Sequence, residues 1–313
     1  MAHPRSCGRG GRRAALTERS ASSALEARVV RAALKPLPKD AGKETRGRIL
    51  IVGGSLRYPG ATLLAARAAL RCGAGVVTIA AARSVVEAIA GDDPNVTFFP
   101  LAEAQTGVVS AAAAAQVSTI TSERTRVLLM GPGLAHASGT DDFVVATLRN
   151  ARSVPTVIDA DGLNALARTE AWREVLPAKT ILTPHDGEAA RLAGGVVPSG
   201  AARVAFAERH ARDWGAVVVL KGPVTVVTDG KKTYVHDQPN PTLGVGGSGD
   251  VLGGAIGALL ARGLAPLAAA ASGVWAHGRA GALLASEVGE SGALATEIAD
   301  ALPRALREIV EGR

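Results

Sequence analysis

A glycine-rich motif that could bind phosphate is GGSGD, at residues 246–250, directly before a long apolar run at 251–260. Glycines let the backbone turn sharply and approach a ligand closely. The free N–H groups at the start of a helix attract an anion such as phosphate, and a first-turn carboxylate, Asp250, can take a proton from a hydroxyl held beside it. The motif therefore favours phosphoryl transfer to a hydroxyl, although an ordinary glycine turn with a helix-capping Asp has the same pattern.

Polar and glycine-rich loops also follow four apolar runs that have the length of buried strands. They are GPGL (131–134), DADGLN (159–164), TPHDGE (183–188) and KGPVT (221–225). In an open parallel sheet the ligand binds beyond the carboxyl ends of the strands, so we expect these loops and the GGSGD turn to converge on one cleft. Each loop alone has a structural explanation, such as a bare turn, a helix cap or a strand-end Lys. Their joint occurrence favours a binding site.

The elements that must position these loops alternate between strand and helix patterns. An apolar run at 49–52 ends in GGS (53–55), a helical pattern follows at 62–71, and the next strand pattern lies at 76–80. Such a βαβ unit implies a parallel sheet, and the absence of a GxGxxG fingerprint at this turn disfavours a Rossmann oxidoreductase. We predict one α/β domain over residues 48–313, with a doubly wound, mostly parallel sheet and helices on both of its faces.

Outside these loops the patterns give weaker predictions. The Ala-rich stretch at 107–121 predicts a helix, and Ser199 is a candidate N-cap for a helix that runs to residue 214. His136 lies near the GPGL loop, whereas three histidines belong to no motif and receive no role: His210, His236 and His277.

Most of the basic charge lies at the N-terminal end of the chain. The 313 residues include 35 Lys and Arg and 28 Asp and Glu, a net charge of +7. Residues 1–48 hold 12 of the basic and 4 of the acidic groups, which leaves 23 basic and 24 acidic groups, a net of −1, in the remainder. We therefore expect a basic, disordered tail over residues 1–47, with one helix at 23–34, and a near-neutral body that does not bind nucleic acid.

Cysteine usage and hydropathy bear on the location of the protein. The two cysteines, Cys7 and Cys72, form no CxxC pair, so neither a zinc site nor a disulfide framework is predicted, and a reducing, cytoplasmic location is expected. No uncharged apolar run reaches the roughly 20 residues of a membrane span. We expect no association with a membrane.

Taken in order, the motifs resemble those of the NAD(P)H-hydrate dehydratases, carbohydrate-kinase-like members of the ribokinase-type fold. The resemblance rests on GGSLRYPGATLLA, GPGL, DADGLNAL, TPHDGE, VVLKGPVTVV and NPTLGVGGSGDVLGG, in this order over about residues 48–305. It implies a substrate that is the (6S)-hydrate of NADH or NADPH, called NADHX or NADPHX, in which water has added across the C5–C6 bond of the nicotinamide ring. ADP or ATP with Mg²⁺ would phosphorylate the hydroxyl of this hydrate. Loss of phosphate and of a proton then restores NADH or NADPH. Bacterial members typically use ADP and yield AMP and phosphate.

The resemblance also implies roles for individual residues. Residues that would contact the hydrate are Ala61, Gly133, His185 and Asp250, of which Asp250 is the catalytic base. Residues that would hold the adenine nucleotide are Lys221, Gly222, Pro223, Val224, Thr225 and Gly249. The anion hole would be formed by the N–H groups of Gly246, Gly247, Ser248 and Gly249. Glu188, a candidate metal ligand, and Asn164 match positions near the phosphates.

Two departures from the family pattern affect these expectations. Asp186 replaces the Pro of the usual TPHPGE, so we expect a freer loop with one extra charge, and Ser248 replaces a Thr but keeps its hydroxyl. Many bacterial relatives carry a fused N-terminal epimerase domain, for which about 47 residues are too few. We therefore expect the epimerase to be a separate chain, and the family implies a homotetramer.

Three other functions remain open from the sequence alone. The first is a small-molecule kinase of the same fold, which would stop at the phosphate ester. The second is a nucleotide-binding sensor without catalysis, against which the intact Asp250 and Lys221 weigh. The third is nucleic-acid binding by the basic tail, which would depend strongly on salt.

Overall fold

The computed structural model describes residues 22–123 and 125–311. Its strands are β1 (Ser23–Ala24), β2 (Arg48–Val52), β3 (Val76–Ala82), β4 (Thr97–Leu101), β5 (Glu103–Gln105), β6 (Val108–Val109), β7 (Val127–Met130), β8 (Thr156–Ile158), β9 (Thr180–Leu182), β10 (Val217–Leu220), β11 (Val224–Thr228) and β12 (Thr233–Asp237). Its α-helices are α1 (Ala27–Ala33), α2 (Lys43–Arg46), α3 (Gly60–Arg71), α4 (Arg83–Ile89), α5 (Ala114–Glu123), α6 (Thr140–Asn150), α7 (Asp161–Arg168), α8 (Asp186–Ala193), α9 (Ala201–Trp214), α10 (Ser248–Ala261), α11 (Pro266–Val288) and α12 (Ala295–Glu311).

Ten strands form one sheet in the order β1-β12-β11-β10-β9-β8-β7-β2-β3-β4, and β5 pairs with β6 in a separate hairpin. β2 runs parallel to both of its neighbours, β3 and β7. The chain moves outward from β2 through β3 to β4, then returns to β7 and moves the other way through β8, β9 and β10. The order reverses between β2 and β7, which is where doubly wound sheets bind ligands. β11 runs antiparallel to both of its neighbours, whereas the other pairs in this sheet are parallel. The predicted doubly wound, mostly parallel sheet is therefore confirmed.

Helices cover both faces of this sheet, because right-handed crossovers on the two sides of the reversal put their helices on opposite faces. Helices α3, α10, α11 and α12 pack on one another, and α5 to α8 pack in succession along the chain. Among the described residues, no helix combines the length and the apolar character needed to cross a membrane.

Helix α10 lies between the sheet and its neighbouring helices. It contacts β2, β7 and β8 and is flanked by α3 and α11, and most of its residues are buried. The close approach to α3 needs glycine, because a Cβ at Gly254 would lie 2.0 Å from the carbonyl oxygen of Ala65. This packing fixes the helix that carries Asp250 in its first turn.

The N-terminal segment differs from the predicted disordered tail. Within residues 22–47, β1 pairs in parallel with β12, α1 packs on α11 and α12, and three apolar side chains enter the core: Leu25, Val30 and Leu34. Where a disordered tail was predicted, residues 22–47 therefore extend the sheet edge and bury apolar side chains against the body. The predicted helix at 23–34 is observed only as α1, and the part of the tail before residue 22 lies outside the described residues.

The stretch at 107–121 is not one helix. It contains the hairpin strand β6, a 3₁₀ turn at Ala111–Ala113 and then α5. Ser110 caps the 3₁₀ turn by accepting a hydrogen bond from the Ala112 N–H at 3.3 Å, which ends the strand before the Ala-rich run begins. The predicted helix to residue 214 is α9, but Gly200 rather than Ser199 occupies its N-cap position.

We expect Val30→Ala to lower the free energy of unfolding by about 2 kcal/mol, because it removes buried methyl groups and leaves a cavity between α1 and the body. Val196→Ala is the matched control, since Val196 is 89% exposed; it should change the free energy by less than about 0.5 kcal/mol. Urea denaturation compares the two variants. Equal stabilities would show that α1 does not stabilise the folded body.

Candidate active site

Lys221 joins three of the predicted loops at the carboxyl edge of the sheet. It follows β10, and its Nζ lies 2.7 Å from Oδ1 of Asp159, which follows β8. The same Nζ lies 3.9 Å from Oε2 of Glu188 in the first turn of α8, after β9. Both carboxyl side chains are buried. The predicted convergence is therefore observed for these three loops, around one ammonium group.

His185 caps the N-terminus of α8. Its Nδ1 accepts hydrogen bonds from the N–H groups of Gly187 and Glu188 at 3.0 and 3.4 Å, and the Glu188 carboxylate accepts one from the His185 N–H at 2.9 Å. This capping box leaves Nε2 as the protonated nitrogen of the neutral ring, 3.4 Å from Glu188 Oε1. Burial, and then the charge of Lys221, lower the pKa of His185. His185 can therefore cap α8 through Nδ1 and also bind a ligand through Nε2.

The N-terminus of α10 offers backbone donors beside Lys221. Gly247 is its N-cap residue, with φ +90°, a conformation that favours glycine. Within the part of the chain that the structure describes, the N–H groups of Gly249 and Asp250 have no acceptor. A Cβ at Gly249 would lie 3.5 Å from Lys221 Nζ. An anion placed here would meet the helix N-terminus and the ammonium group together.

Ser248 is engaged within the protein rather than open to an anion. Its N–H donates to the carbonyl oxygen of Val245 at 3.2 Å, and its hydroxyl lies 3.0 Å from Nε2 of His277 on α11. Of the anion hole predicted over 246–249, the Ser248 amide thus already has an acceptor within the protein. Sequence analysis missed His277 because only the packing of α11 on α10 brings it here. Burial lowers the pKa of His277 to about 4, so the ring is neutral at neutral pH.

Two carboxyl groups near Lys221, those of Asp250 and Glu188, have raised pKa values. Burial, followed by the Asp159 carboxylate, raises the pKa of Asp250 to about 7. Burial also raises the pKa of Glu188 to about 7, against the opposing effect of Lys221. Burial works against the charge of Lys221 itself, but Asp159 and Glu188 outweigh it and raise its pKa. Asp250 can thus exchange a proton near neutral pH, as a general base must.

A cavity of about 610 Å³ opens beside this cluster, within the size range of small-molecule sites. Five of the predicted nucleotide-binding residues line it, as do three histidines: Lys221, Gly222, Pro223, Thr225 and Gly249, with His185, His236 and His277. Val224 and Asp250 are not among the lining residues. The Val224 carbonyl instead accepts a hydrogen bond from Arg203 at 3.1 Å.

The remaining predicted hydrate-binding residues lie at the start of α3 and in the GPGL loop. A Cβ at Gly133, which has φ +64°, would lie 2.8 Å from the Cβ of Ala61, so these two positions adjoin. Asn164 is tied to the protein: its Oδ1 accepts from Arg191 Nε at 3.0 Å, and its Nδ2 donates to Asp161 at 3.2 Å. The exposed His136 lies 3.9 Å from Asp141.

Ala160 holds a strained backbone between the two acidic residues of the DADGLN loop. Its φ of 49° and ψ of −120° fall where glycine is favoured. On one side Asp159 reaches Lys221, and on the other Asp161 Oδ2 accepts a hydrogen bond from the Ala135 N–H at 2.8 Å. The strained residue therefore sits where one turn directs two carboxylates to different loops.

Asp186 ties its loop down instead of freeing it. Its Oδ1 accepts a hydrogen bond from Nη1 of Arg203 at 2.6 Å, and Arg203 is buried in α9. The expectation of a freer loop is therefore wrong, because a buried guanidinium compensates the extra charge. No local pattern in the sequence pairs these two residues.

Comparison with known proteins gives the family. A family model described as NAD(P)H-hydrate dehydratase matches residues 49–304. The chain belongs to this family. That match spans all the loops that meet at Lys221 and the start of α10, so the family assignment and the site cover the same part of the chain.

The relatives differ in length. A bifunctional NAD(P)H-hydrate repair enzyme of Moorella thermoacetica is 40% identical over 85% of this chain, and the chain spans 50% of that enzyme's length. An ADP-dependent (S)-NAD(P)H-hydrate dehydratase of Xanthomonas campestris is 38% identical over 91% of this chain and 97% of its own. The ADP/ATP-dependent NAD(P)H-hydrate dehydratase of Bacillus subtilis, co-crystallised with ATP/Mg²⁺, superimposes with TM-score 0.76 at 29% identity, covering 92% of this chain and 99% of that one.

We expect Ala160→Gly to raise the free energy of unfolding by about 1 kcal/mol, because relief of the strained φ outweighs the added freedom of glycine in the unfolded chain. Ala205→Gly is the control: Ala205 is exposed inside α9 with helical geometry, so the same change should cost about 1 kcal/mol. Thermal or urea unfolding measures both. Destabilisation of similar size in the two variants would contradict strain at Ala160.

Proposed function

We propose that this chain catalyses the nucleotide-dependent dehydration of (6S)-NADHX and (6S)-NADPHX to NADH and NADPH, with ADP as the phosphoryl donor and AMP and phosphate as products. The observation that carries the proposal is the Asp250 carboxyl, whose pKa is about 7, beside free N–H groups at the start of α10. A base and an anion site in one helical turn are what phosphorylation of a hydroxyl needs.

In the proposed first step, Asp250 takes the proton of the hydrate hydroxyl while that oxygen attacks the terminal phosphorus of ADP. The new P–O bond forms as the bond to the bridging oxygen breaks, and AMP leaves. The N–H groups of Gly249 and Asp250 and the ammonium of Lys221 stabilise the negative charge on the transferred phosphoryl oxygens. The charge of Lys221 is present throughout, since its pKa is raised.

The second step removes phosphate from the ester. The lone pair of the ring nitrogen assists cleavage of the C6–O bond, so that phosphate departs with the bonding electrons. Loss of a proton from C5 then forms the C5–C6 double bond of the dihydronicotinamide. Hydroxide is a poor leaving group and phosphate a good one, which explains why a dehydration uses a nucleotide at all.

Mg²⁺ is part of the proposal, with one carboxylate of the site as its protein ligand. Among the described residues, no three or more His, Cys, Asp or Glu side chains are grouped so as to hold a metal ion by themselves. Nucleotide sites commonly hold Mg²⁺ through one or two carboxylates together with phosphates and water. Glu188 is the carboxylate we assign, and the metal would neutralise phosphate charge when bound.

The direct test follows the absorbance of the dihydronicotinamide at about 340 nm. Purified protein is mixed with (6S)-NADHX, Mg²⁺ and either ADP or ATP, and Asp250→Asn serves as the matched variant. We expect recovery of absorbance that requires nucleotide and falls at least about a thousandfold in Asp250→Asn, with retained AMP binding. Recovery without nucleotide, or undiminished in the variant, would contradict the proposal.

The same experiment separates the alternatives. A ribokinase-fold kinase would consume nucleotide and accumulate a stable phosphorylated product, which phosphorus NMR detects. A catalytically silent sensor would bind AMP or ADP and leave every hydrate unchanged. The carboxyl of Asp250 and its pKa near 7 favour catalysis over sensing, because binding alone does not need a base.

The pH dependence follows from the same carboxyl. We expect kcat/KM to rise with pH about a midpoint near 7, because the base form of Asp250 gains population as pH rises through a pKa of about 7. An ordinary Asp would give a flat profile from about pH 6 to about pH 9. Asp159→Asn should move the midpoint to lower pH, since the Asp159 carboxylate helps to raise this pKa.

A control separates Asp250 from Glu188, whose pKa is also about 7. In Glu188→Gln the rate should fall but the rise with pH should remain, because Asp250 still titrates. A profile that becomes flat in Glu188→Gln would instead assign the titration to Glu188 and would overturn the role of Asp250 as base.

We also propose, from the family resemblance, that the protein works in the cytoplasm as a homotetramer. The absence of a membrane-crossing helix among the described residues is compatible with this location. Light scattering coupled to size exclusion measures the assembled mass, and a monomer at working concentration would contradict the tetramer.

A further inference from the structure

Arg203, a buried residue of α9, donates hydrogen bonds to backbone carbonyl groups of the KGPVT loop. Its Nη2 donates to the carbonyl oxygen of Lys221 at 2.8 Å and, more distantly, to that of Leu220 at 3.4 Å. Its Nε donates to the carbonyl oxygen of Val224 at 3.1 Å. One side chain thus fixes both ends of the loop that lines the nucleotide-sized cavity.

The same guanidinium group reaches the TPHDGE loop. Its Nη1 donates to Oδ1 of Asp186 at 2.6 Å. Asp186 is the first residue of α8, next to His185, whose ring and backbone form the capping box of that helix. A backbone hydrogen bond from the Lys221 N–H to the Pro184 carbonyl, at 2.8 Å, joins the two loops a second time.

The fit between this side chain and the loops is close. A Cβ at Gly222 would lie 2.7 Å from Nη2 of Arg203, so a side chain at this position would require the guanidinium to shift. The planar guanidinium offers five donors in a fixed fork. A lysine ammonium, a point charge on a flexible stem, cannot reproduce donation to two carbonyls and a carboxylate at once.

We propose that Arg203 is a positioning residue that holds two loops in a fixed relation. They are the KGPVT loop (221–225), proposed to bind the nucleotide, and the TPHDGE loop (183–188), proposed to bind the hydrate. Asp186 is the contact of Arg203 to the TPHDGE loop. The proposal rests on the function proposed above for what each loop binds. Loss of Asp186 removes only the contact between Arg203 and the TPHDGE loop, because Arg203 keeps its carbonyl partners in the KGPVT loop. Replacement of Arg203 loosens both loops.

The test measures binding of the two products, AMP and NADH, which do not react with each other. Calorimetry gives the affinity for AMP, and fluorescence gives the affinity for NADH with AMP present. For Asp186→Asn we expect AMP affinity within about twofold of the parent and NADH affinity about tenfold weaker; for Arg203→Lys we expect both to weaken by about tenfold. The double variant should be no worse than Arg203→Lys, because the contact is already lost.

Asp300→Asn is the matched control. Asp300 accepts hydrogen bonds from two arginines, Arg67 Nε at 2.9 Å and Arg71 Nε at 2.8 Å, and these join α12 to α3 rather than to either loop. Asp300→Asn should lower the melting temperature at least as much as Asp186→Asn does while leaving both product affinities at the parental value. Parental affinities in Asp186→Asn and Arg203→Lys, with lowered melting temperature only, would reduce Arg203 to a structural residue and overturn the proposal.

Failure of the proposed function gives a different result. If the parent binds AMP and NADH but restores no hydrate, the dehydratase proposal fails, and the affinities still decide the role of Arg203. If the parent binds neither product, both proposals fall. If AMP affinity drops in Asp186→Asn as much as in Arg203→Lys, the division of roles between the two loops is wrong.

Discussion

An excess of buried acidic groups around one ammonium group is the constraint on which the site depends. Lys221 lies 2.7 Å from Asp159 and 3.9 Å from Glu188, and its charge also acts on Asp250. Burial, together with the neighbouring carboxylates, raises the pKa of Asp250 and of Glu188 to about 7. A nucleotide adds further negative charge. In the proposed function, this acidic surrounding would favour a nucleotide whose phosphate charge is neutralised by a bound divalent cation.

The position of Asp250, the proposed base, depends on packing far from the charges. Asp250 stands in the first turn of α10, which is wedged between α3 and α11 over β2, β7 and β8. Close contact at Gly254 leaves no room for the helix to slide along α3. The neutral His277 holds the hydroxyl of Ser248, two residues before Asp250 in the same turn of the helix. The anion site is therefore preorganised by apolar contacts and one buried hydrogen bond, as electrostatic stabilisation of a transition state requires.

Local patterns predicted the parts of the site whose chemistry lies within a few residues of a strand end. Lys221, Asp159, Glu188 and His185 could be found because parallel strands bring their carboxyl ends to one edge. Arg203 and His277, among others, could not be found in this way, since each reaches the site from the side of a helix through tertiary packing. The order of the N-terminal segment could not be predicted for a related reason. Charged residues dominate its composition, whereas a few buried apolar side chains hold it against the body.

The two faces of α10 suggest how two large ligands meet. The cavity lined by Lys221 and His277 lies on the α11 side of its N-terminus, whereas Ala61 and Gly133 adjoin on the α3 side. Asp250 and the free N–H groups lie in the first turn of the helix. In the proposed function, a donor phosphate on one side and a hydroxyl on the other would meet at this turn, since in-line phosphoryl transfer demands an approach from opposite sides. The proposed reaction would then depend on the placement of one helix terminus more than on any single side chain.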